Sequence, residues 1–197
     1  STEHGNTNVA IGHTALFSST GSSNVAIGDR CLYGLSTGQN NVGIGDRAYT
    51  STNTVDGEFV LGGSSITNLR CNDTSISALS DERDKDDIKD SKFGLSYLKK
   101  LRPVDFVWKS RDGNAKDGTR EVGFLAQDLQ QLEKEFNAPQ LKTVSAENPD
   151  RLEADYGKLL VVAIKAIQDL NSTVEKQQKE ITNLKRSITH IKKAQKL

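Results

Sequence analysis

Methionine is absent from all 197 residues, position 1 included, which predicts a segment of a longer polypeptide. Lysine and proline are absent from the first 79 residues, and Lys85 is the first lysine of the chain. Hydrophobic residues make up 35% and aromatic residues 6%, with one tryptophan. A large core within a single chain is therefore not expected, and burial between chains is a natural supplement. No apolar run approaches the ~18 residues of a membrane-spanning helix, and no signal peptide opens the sequence, so no membrane partner is expected. Cys31 and Cys71 lie outside any metal-ligand spacing and read as free small core residues, which fits a reducing compartment. His4, His13 and His190 are scattered, which argues against a histidine-based site. Neither charge dominates, with 26 basic and 26 acidic residues. The basic excess after residue 150 is spread around a helix instead of clustered, so no nucleic-acid partner is expected.

What the first 79 residues do contain is a repeat, in a background where about half the residues are Ser, Thr, Asn or Gly. Asn8-Val9-Ala10-Ile11-Gly12 recurs as Asn24-Val25-Ala26-Ile27-Gly28 and Asn41-Val42-Gly43-Ile44-Gly45, with a decayed copy in Glu58-Phe59-Val60-Leu61-Gly62, at steps of 16, 17 and 17 residues. Each unit offers one short strand followed by a glycine suited to a tight turn. A single such strand cannot bury its own face, but stacked rungs can, as in solenoids and intertwined β-prisms. Composition alone favours a disordered linker. The constant phase of Val-x-Ile-Gly argues for structure instead, since a linker has no reason to keep one. The repeats resemble the shafts of phage tail fibres, and the Asn-Val-Ala-Ile-Gly unit resembles the head repeats of bacterial trimeric adhesins. Both resemblances imply a trimeric β-structured shaft. No paired carboxylates in this segment point to glycan hydrolysis.

Charge arrives abruptly at Leu79-Ser80-Asp81-Glu82-Arg83-Asp84-Lys85. A lone Ser-x-x-x-x-Lys is a chance-level pattern, and Ser80 ahead of Glu82 and Arg83 also reads as the N-cap of a charged helix. Asp81, Asp84, Asp86 and Asp87 form an acidic run without the glycine and distal glutamate of a calcium loop, so a solvated face and no metal or cofactor are expected. Downstream, Phe93, Leu95, Leu98 and Leu101 mark a short helix ended at Arg102-Pro103. Val104, Phe106 and Trp108 alternate as a strand, Asp112-Gly113 and Asp117-Gly118 mark a hairpin-like loop, and residues 121–124 return as a second strand. Residues 126–136 read as an amphipathic helix with Leu125, Leu129 and Leu132 on one side, and Trp108 and Phe124 as core.

Three motifs in order, Leu79 to Lys85, Leu101-Arg102-Pro103-Val104-Asp105-Phe106-Val107-Trp108 and Gly123-Phe124-Leu125-Ala126-Gln127-Asp128, resemble the C-terminal intramolecular chaperone of phage tail spikes and fibres. This is the S74 peptidase family, found also in myelin regulatory factor, and the resemblance runs from residue 80 to about 190. It implies autoproteolysis by a serine–lysine dyad: Ser80 as nucleophile, Lys85 as base, and the Leu79–Ser80 bond as the one cut. A serine hydroxyl needs a base, and a lysine is a base only where desolvation or nearby positive charge favours its neutral form, so Lys85 is expected to be partly buried in the assembled state. Attack on the carbonyl immediately before Ser80 is an N-to-O acyl shift whose ester water then hydrolyses. Asp81 and Arg83 are supporting candidates, with Arg83 and backbone amides the candidate donors to an oxyanion.

From Tyr156 a seven-residue period runs to the end of the chain. Leu160, Ile167, Val174, Ile181 and Ile188 take one core position; Tyr156, Ala163, Leu170, Gln177, Leu184 and Ile191 take the other. This predicts a coiled coil of about five heptads with Gln177 as a polar layer, and the family resemblance points to three strands. The expectation is an α+β homotrimer: a β-repeat shaft end over residues 1–79, a chaperone globular part over 80–150 and a coiled coil over 151–197. Its partners would be two further copies, the upstream fibre and, through the mature fibre, a host-cell receptor. Its place would be the virion tail fibre, after synthesis in the host cytoplasm. Two alternatives stand beside it. One is a non-cleaving structural adhesin or fibre tip. The other is a membrane-tethered transcription factor, against which stand the lack of a DNA-binding domain before the boundary and of a membrane span after it.

Overall fold

The computed structural model describes residues 5–73, 75–109, 111 and 116–194. The architecture is mixed α+β and ends in one long helix. Two compact units share the chain. The first takes the sequence up to Ala78 together with Asp105–Gly123 and Ala146–Arg151, and the second takes Leu79–Val104, Phe124–Ser145 and Leu152–Leu197.

In the first unit the four repeats form β1 (Val9–Ile11), β2 (Val25–Ile27), β3 (Val42–Ile44) and β4 (Phe59–Leu61). They pair in parallel in chain order with equivalent residues opposite one another, so that Val9 faces Val25, Val25 faces Val42, and Val42 faces Phe59. The hydrogen-bonded ladder therefore closes within a single chain as a solenoid. Alternation in the inner rungs sends the middle residue inward, where Ala26 packs with Leu16, Cys31, Leu32, Leu35 and Ala48, whereas Ala10 in the first rung is exposed. The flanking residues Ile11, Ile27, Ile44 and Leu61 face outward and remain exposed. Gly28 follows its strand at φ +138°, and a Cβ there would lie 2.4 Å from the Gly45 carbonyl oxygen, so the turn between rungs accepts only glycine.

The residue that opens each repeat holds the rungs in register. Asn24 and Asn41 are fully buried. Asn24 N–H donates to Asn8 Oδ1 (2.8 Å), Asn41 N–H to Asn24 Oδ1 (3.0 Å), and Glu58 N–H to Asn41 Oδ1 (2.8 Å). The side-chain amides in turn donate to Gly21, Gly38 and Val55 carbonyls. Each asparagine thus satisfies a donor in the next rung and an acceptor in the loop, which buried backbone groups require.

The same unit contains a hairpin of β5 (Val104–Val107) and β6 (Arg120–Gly123). Gly118, at φ +78°, turns the chain so that Gly118 N–H reaches the Trp108 carbonyl at 2.9 Å, while Asp112-Gly113 lies outside the described residues. Trp108 is half-buried and packs edge-on against Phe106 at 5.4 Å, in neither core cluster; the expectation of a core tryptophan is corrected to a hairpin-face one.

The second unit gathers α1 (Leu95–Leu98), α2 (Ala126–Glu135), the short pair β7 (Val144–Ser145) and β8 (Glu153–Ala154), and α3 (Gly157–Ala194). Its core is Phe93, Tyr97, Leu132, Ala138, Leu141, Leu159 and Val162, with Phe124 packed against it as expected. Tyr97 is fully buried, with Phe93 and Phe136 edge-on at 6.0 and 5.0 Å. Leu129 and Leu132 are buried on the inner side of α2, whereas Leu125 precedes the helix and is exposed.

Helix α3 has two apolar faces. Leu159, Val162 and Ala166, at helical spacing, are buried and serve the chain's own core. The heptad stripe of Leu160, Ile167, Leu170, Val174, Ile181, Leu184, Ile188 and Ile191 lies on another face and is exposed along its length. Tyr156 stands one residue before the helix; its hydroxyl accepts from Phe124 N–H at 3.1 Å and its ring packs on Phe124. Among the described residues no helix is long and apolar enough to cross a membrane.

Replacing Asn24 by Ala removes the acceptor for Asn41 N–H and the donor to Gly38, and is expected to destabilise the solenoid by roughly 2–4 kcal/mol, read as a lowered urea midpoint. The cysteines differ. Cys31 is buried, and burial pushes its thiol above the usual range, whereas Cys71 is exposed, correcting the expectation that both are core residues. A thiol reagent at mildly alkaline pH is expected to label one cysteine of the native chain, Cys71, and both after denaturation; equal native labelling would contradict the burial of Cys31.

Candidate functional site

The residues around the composition boundary form a tight exposed turn. Asp81 is extended (φ −65°, ψ 137°) and caps one turn of 3₁₀ helix, Glu82–Asp84, by accepting Arg83 N–H on Oδ1 at 2.9 Å. The turn closes with Lys85 N–H donating to the Glu82 carbonyl at 3.0 Å. The cap is thus Asp81, while the Ser80 hydroxyl is left for another partner. Lys85 Nζ lies 2.6 Å from Ser80 Oγ and 3.0 Å from the Ser80 carbonyl oxygen. Leu79, before the Leu79–Ser80 bond, is fully exposed at 100%, and residues 80–90 are exposed throughout, Lys85 and the acidic run included.

Arg83 is engaged by its neighbour. Its Nε and Nη2 donate to the two Asp81 carboxylate oxygens at 3.0 and 2.6 Å. The Arg83 guanidinium and then its backbone N–H hold the Asp81 carboxyl below the usual carboxylate range. In chemical terms, a hydroxyl and an amine lie within proton-transfer distance, and the guanidinium between them in sequence is already occupied by a carboxylate.

The far end of this segment is anchored by a residue that sequence reasoning missed. Gly94 precedes α1 without a side-chain cap of its own, and Leu95 N–H instead donates to Asp169 Oδ2 on α3 at 3.1 Å. A Cβ on Gly94 would come within 2.1 Å of that oxygen, so any larger residue there would displace the Asp169 carboxylate. Lys165 Nζ holds the other carboxylate oxygen at 2.5 Å. Asp169 is 74 residues from Leu95, and its only sequence signal was an i, i+4 spacing from Lys165. The histidines do not converge on a site: His13 pairs with Asp29, His190 lies on α3, and His4 is outside the described residues. Among the described residues no group of three or more His, Cys, Asp or Glu side chains is arranged to hold a metal ion.

Residues 80–138 match the family model Peptidase S74, chaperone of endosialidase. The matched stretch is an S74 chaperone-of-endosialidase domain; it opens at Ser80, includes Lys85, α1, the hairpin and α2, and leaves the repeats and α3 outside. None of the curated proteins compared with the chain matches it.

The Lys165 ammonium and then the Leu95 N–H hold the Asp169 carboxyl below its ordinary value. Its contribution is therefore present above the ordinary carboxylate range and lost as pH falls through the lowered value. Amide exchange at Leu95 is expected to accelerate, relative to the amides of α2, only in that acidic window, and Asp169→Asn is expected to remove the pH step.

Proposed function

We propose that the chain is the C-terminal part of a phage tail fibre or spike, in which an intramolecular chaperone aligns three copies and then releases itself by cutting the Leu79–Ser80 bond. The division would be a shaft end over residues 1–79, a chaperone globular part over 80–150 and a coiled coil over 151–197. The observation that carries the reading is the S74 match beginning at the one serine whose hydroxyl accepts from Lys85.

In the proposed reaction Ser80 Oγ gives its proton to neutral Lys85 Nζ and bonds to the Leu79 carbonyl carbon. The Leu79–Ser80 C–N bond then breaks, the proton passes to the leaving amine, and an ester joins Leu79 to Ser80 Oγ. Water hydrolyses the ester, leaving a Leu79 carboxylate and a free Ser80 hydroxyl. Lys85 is solvent-exposed in the single chain, whereas burial of a lysine is what favours its neutral, basic form. Desolvation by neighbouring copies would turn it into a base, so the cut would report assembly. The exposed heptad stripe of α3 is the surface on which three copies would meet. Loss of the aligner after the cut would leave a shaft unable to reassemble once unfolded, with kinetic stability.

Exposure of Ser80 and Lys85 also favours a second reading, a trimeric fibre tip that never cleaves. One experiment separates them. The full chain, run on a denaturing gel after assembly, is expected to yield fragments 1–79 and 80–197, and both Ser80→Ala and Lys85→Ala are expected to remain whole. An intact wild-type trimer would overturn self-cleavage and leave the structural reading.

A further inference from the structure

Lys85 lies five positions after Ser80, and an extended chain would hold their Cα atoms about 17 Å apart, beyond the reach of a lysine side chain. The pair meets only because residues 82–84 fold back. That 3₁₀ turn contains no buried residue, so no hydrophobic core holds it. Isolated turns of this kind are marginal in water, since one or two backbone bonds do not offset the ordering of the chain. Its backbone bonds are a long one from Asp84 N–H to the Asp81 carbonyl (3.3 Å) and one from Lys85 N–H to the Glu82 carbonyl (3.0 Å). Apart from the bonds of Lys85 Nζ to Ser80 themselves, the remaining contacts within the turn are made to one side chain. Asp81 accepts Arg83 N–H, Arg83 Nε and Arg83 Nη2 on its two oxygens.

We infer that Asp81 is the positioning residue of the Ser80–Lys85 pair, acting through the turn it caps, and that Arg83 belongs to the same clasp instead of serving as a donor to the oxyanion. This rests on the dyad reading above. The Asp81 Oδ1 bond to Arg83 N–H shapes the backbone, and the guanidinium closes over the carboxylate from outside. Ser80 and Lys85 then leave opposite ends of the turn with their side chains converging. The part of Asp81 that matters is its acceptor oxygen, which an uncharged capping residue also supplies.

The test follows the cleavage time course of the full chain after synthesis, with trimer content measured in parallel by light scattering. Asp81→Ala is expected to slow cleavage by about tenfold, the factor that loss of an ordinary cap imposes on the folded-back turn. Asp81→Asn and Asp81→Ser keep an acceptor and are expected to restore the rate to within roughly threefold of wild type. Arg83→Ala keeps the backbone cap and is expected to stay within several-fold, whereas removal of an oxyanion donor costs about 100- to 1,000-fold. Asp81→Ala cleaving at the wild-type rate, Asn and Ser failing to rescue it while trimers form normally, or an Arg83→Ala loss of the oxyanion-donor size would each overturn the positioning role. In all three cases the dyad reading survives if Ser80→Ala is inert. A wild-type chain that never cuts would overturn both.

Discussion

An apolar stripe that the chain cannot cover by itself governs the second half of this protein. Helix α3 spends one face, Leu159, Val162 and Ala166, on the core formed with Phe93, Tyr97 and Leu132. The heptad face beside it has no such use within the chain and meets water along most of 38 residues. The two faces lie side by side on one helix, one packed on the core and one exposed. Asp169 reaches from α3 to the first amide of α1, so the segment carrying Ser80 and Lys85 enters its domain against the helix.

The repeat unit obeys a different constraint. Its rungs pair within one chain, and buried asparagine amides bridge from rung to rung, so register among them is local and set by the 16- and 17-residue steps. Contacts of short sequence separation form without a large loop-closure cost. The hydrogen-bond ladder does not require other copies; what the chain leaves open is the outward row of Ile11, Ile27, Ile44 and Leu61.

Much of the fold was legible because the signals were periodic. The Val-x-Ile-Gly phase marked all four strands to within a residue, and the seven-residue period located α3, although the helix begins at Gly157 and not before. The helices of the middle region and the hairpin strands also lie where alternation and proline placed them. The two-residue pair β7 and β8 had no signal, since Val144-Ser145 and Glu153-Ala154 are too short for any period to register. Trp108 and Cys71 were misplaced for a related reason: residue type carries a burial preference, but which side of a hairpin or loop is covered depends on packing.

By itself the sequence determined the rungs and the long helix, because each is a periodic local pattern, and it marked the Ser80–Lys85 hexapeptide only through the motifs that follow it. Only the tertiary structure decided that Asp81 and not Ser80 caps the turn, that Arg83 is occupied by Asp81, that Lys85 Nζ points back at Ser80, and that Asp169 closes the start of α1. Those outcomes depend on which donor meets which acceptor once the chain has turned. Several residues of the right type competed for each place, and geometry at the scale of a single hydrogen bond chose among them.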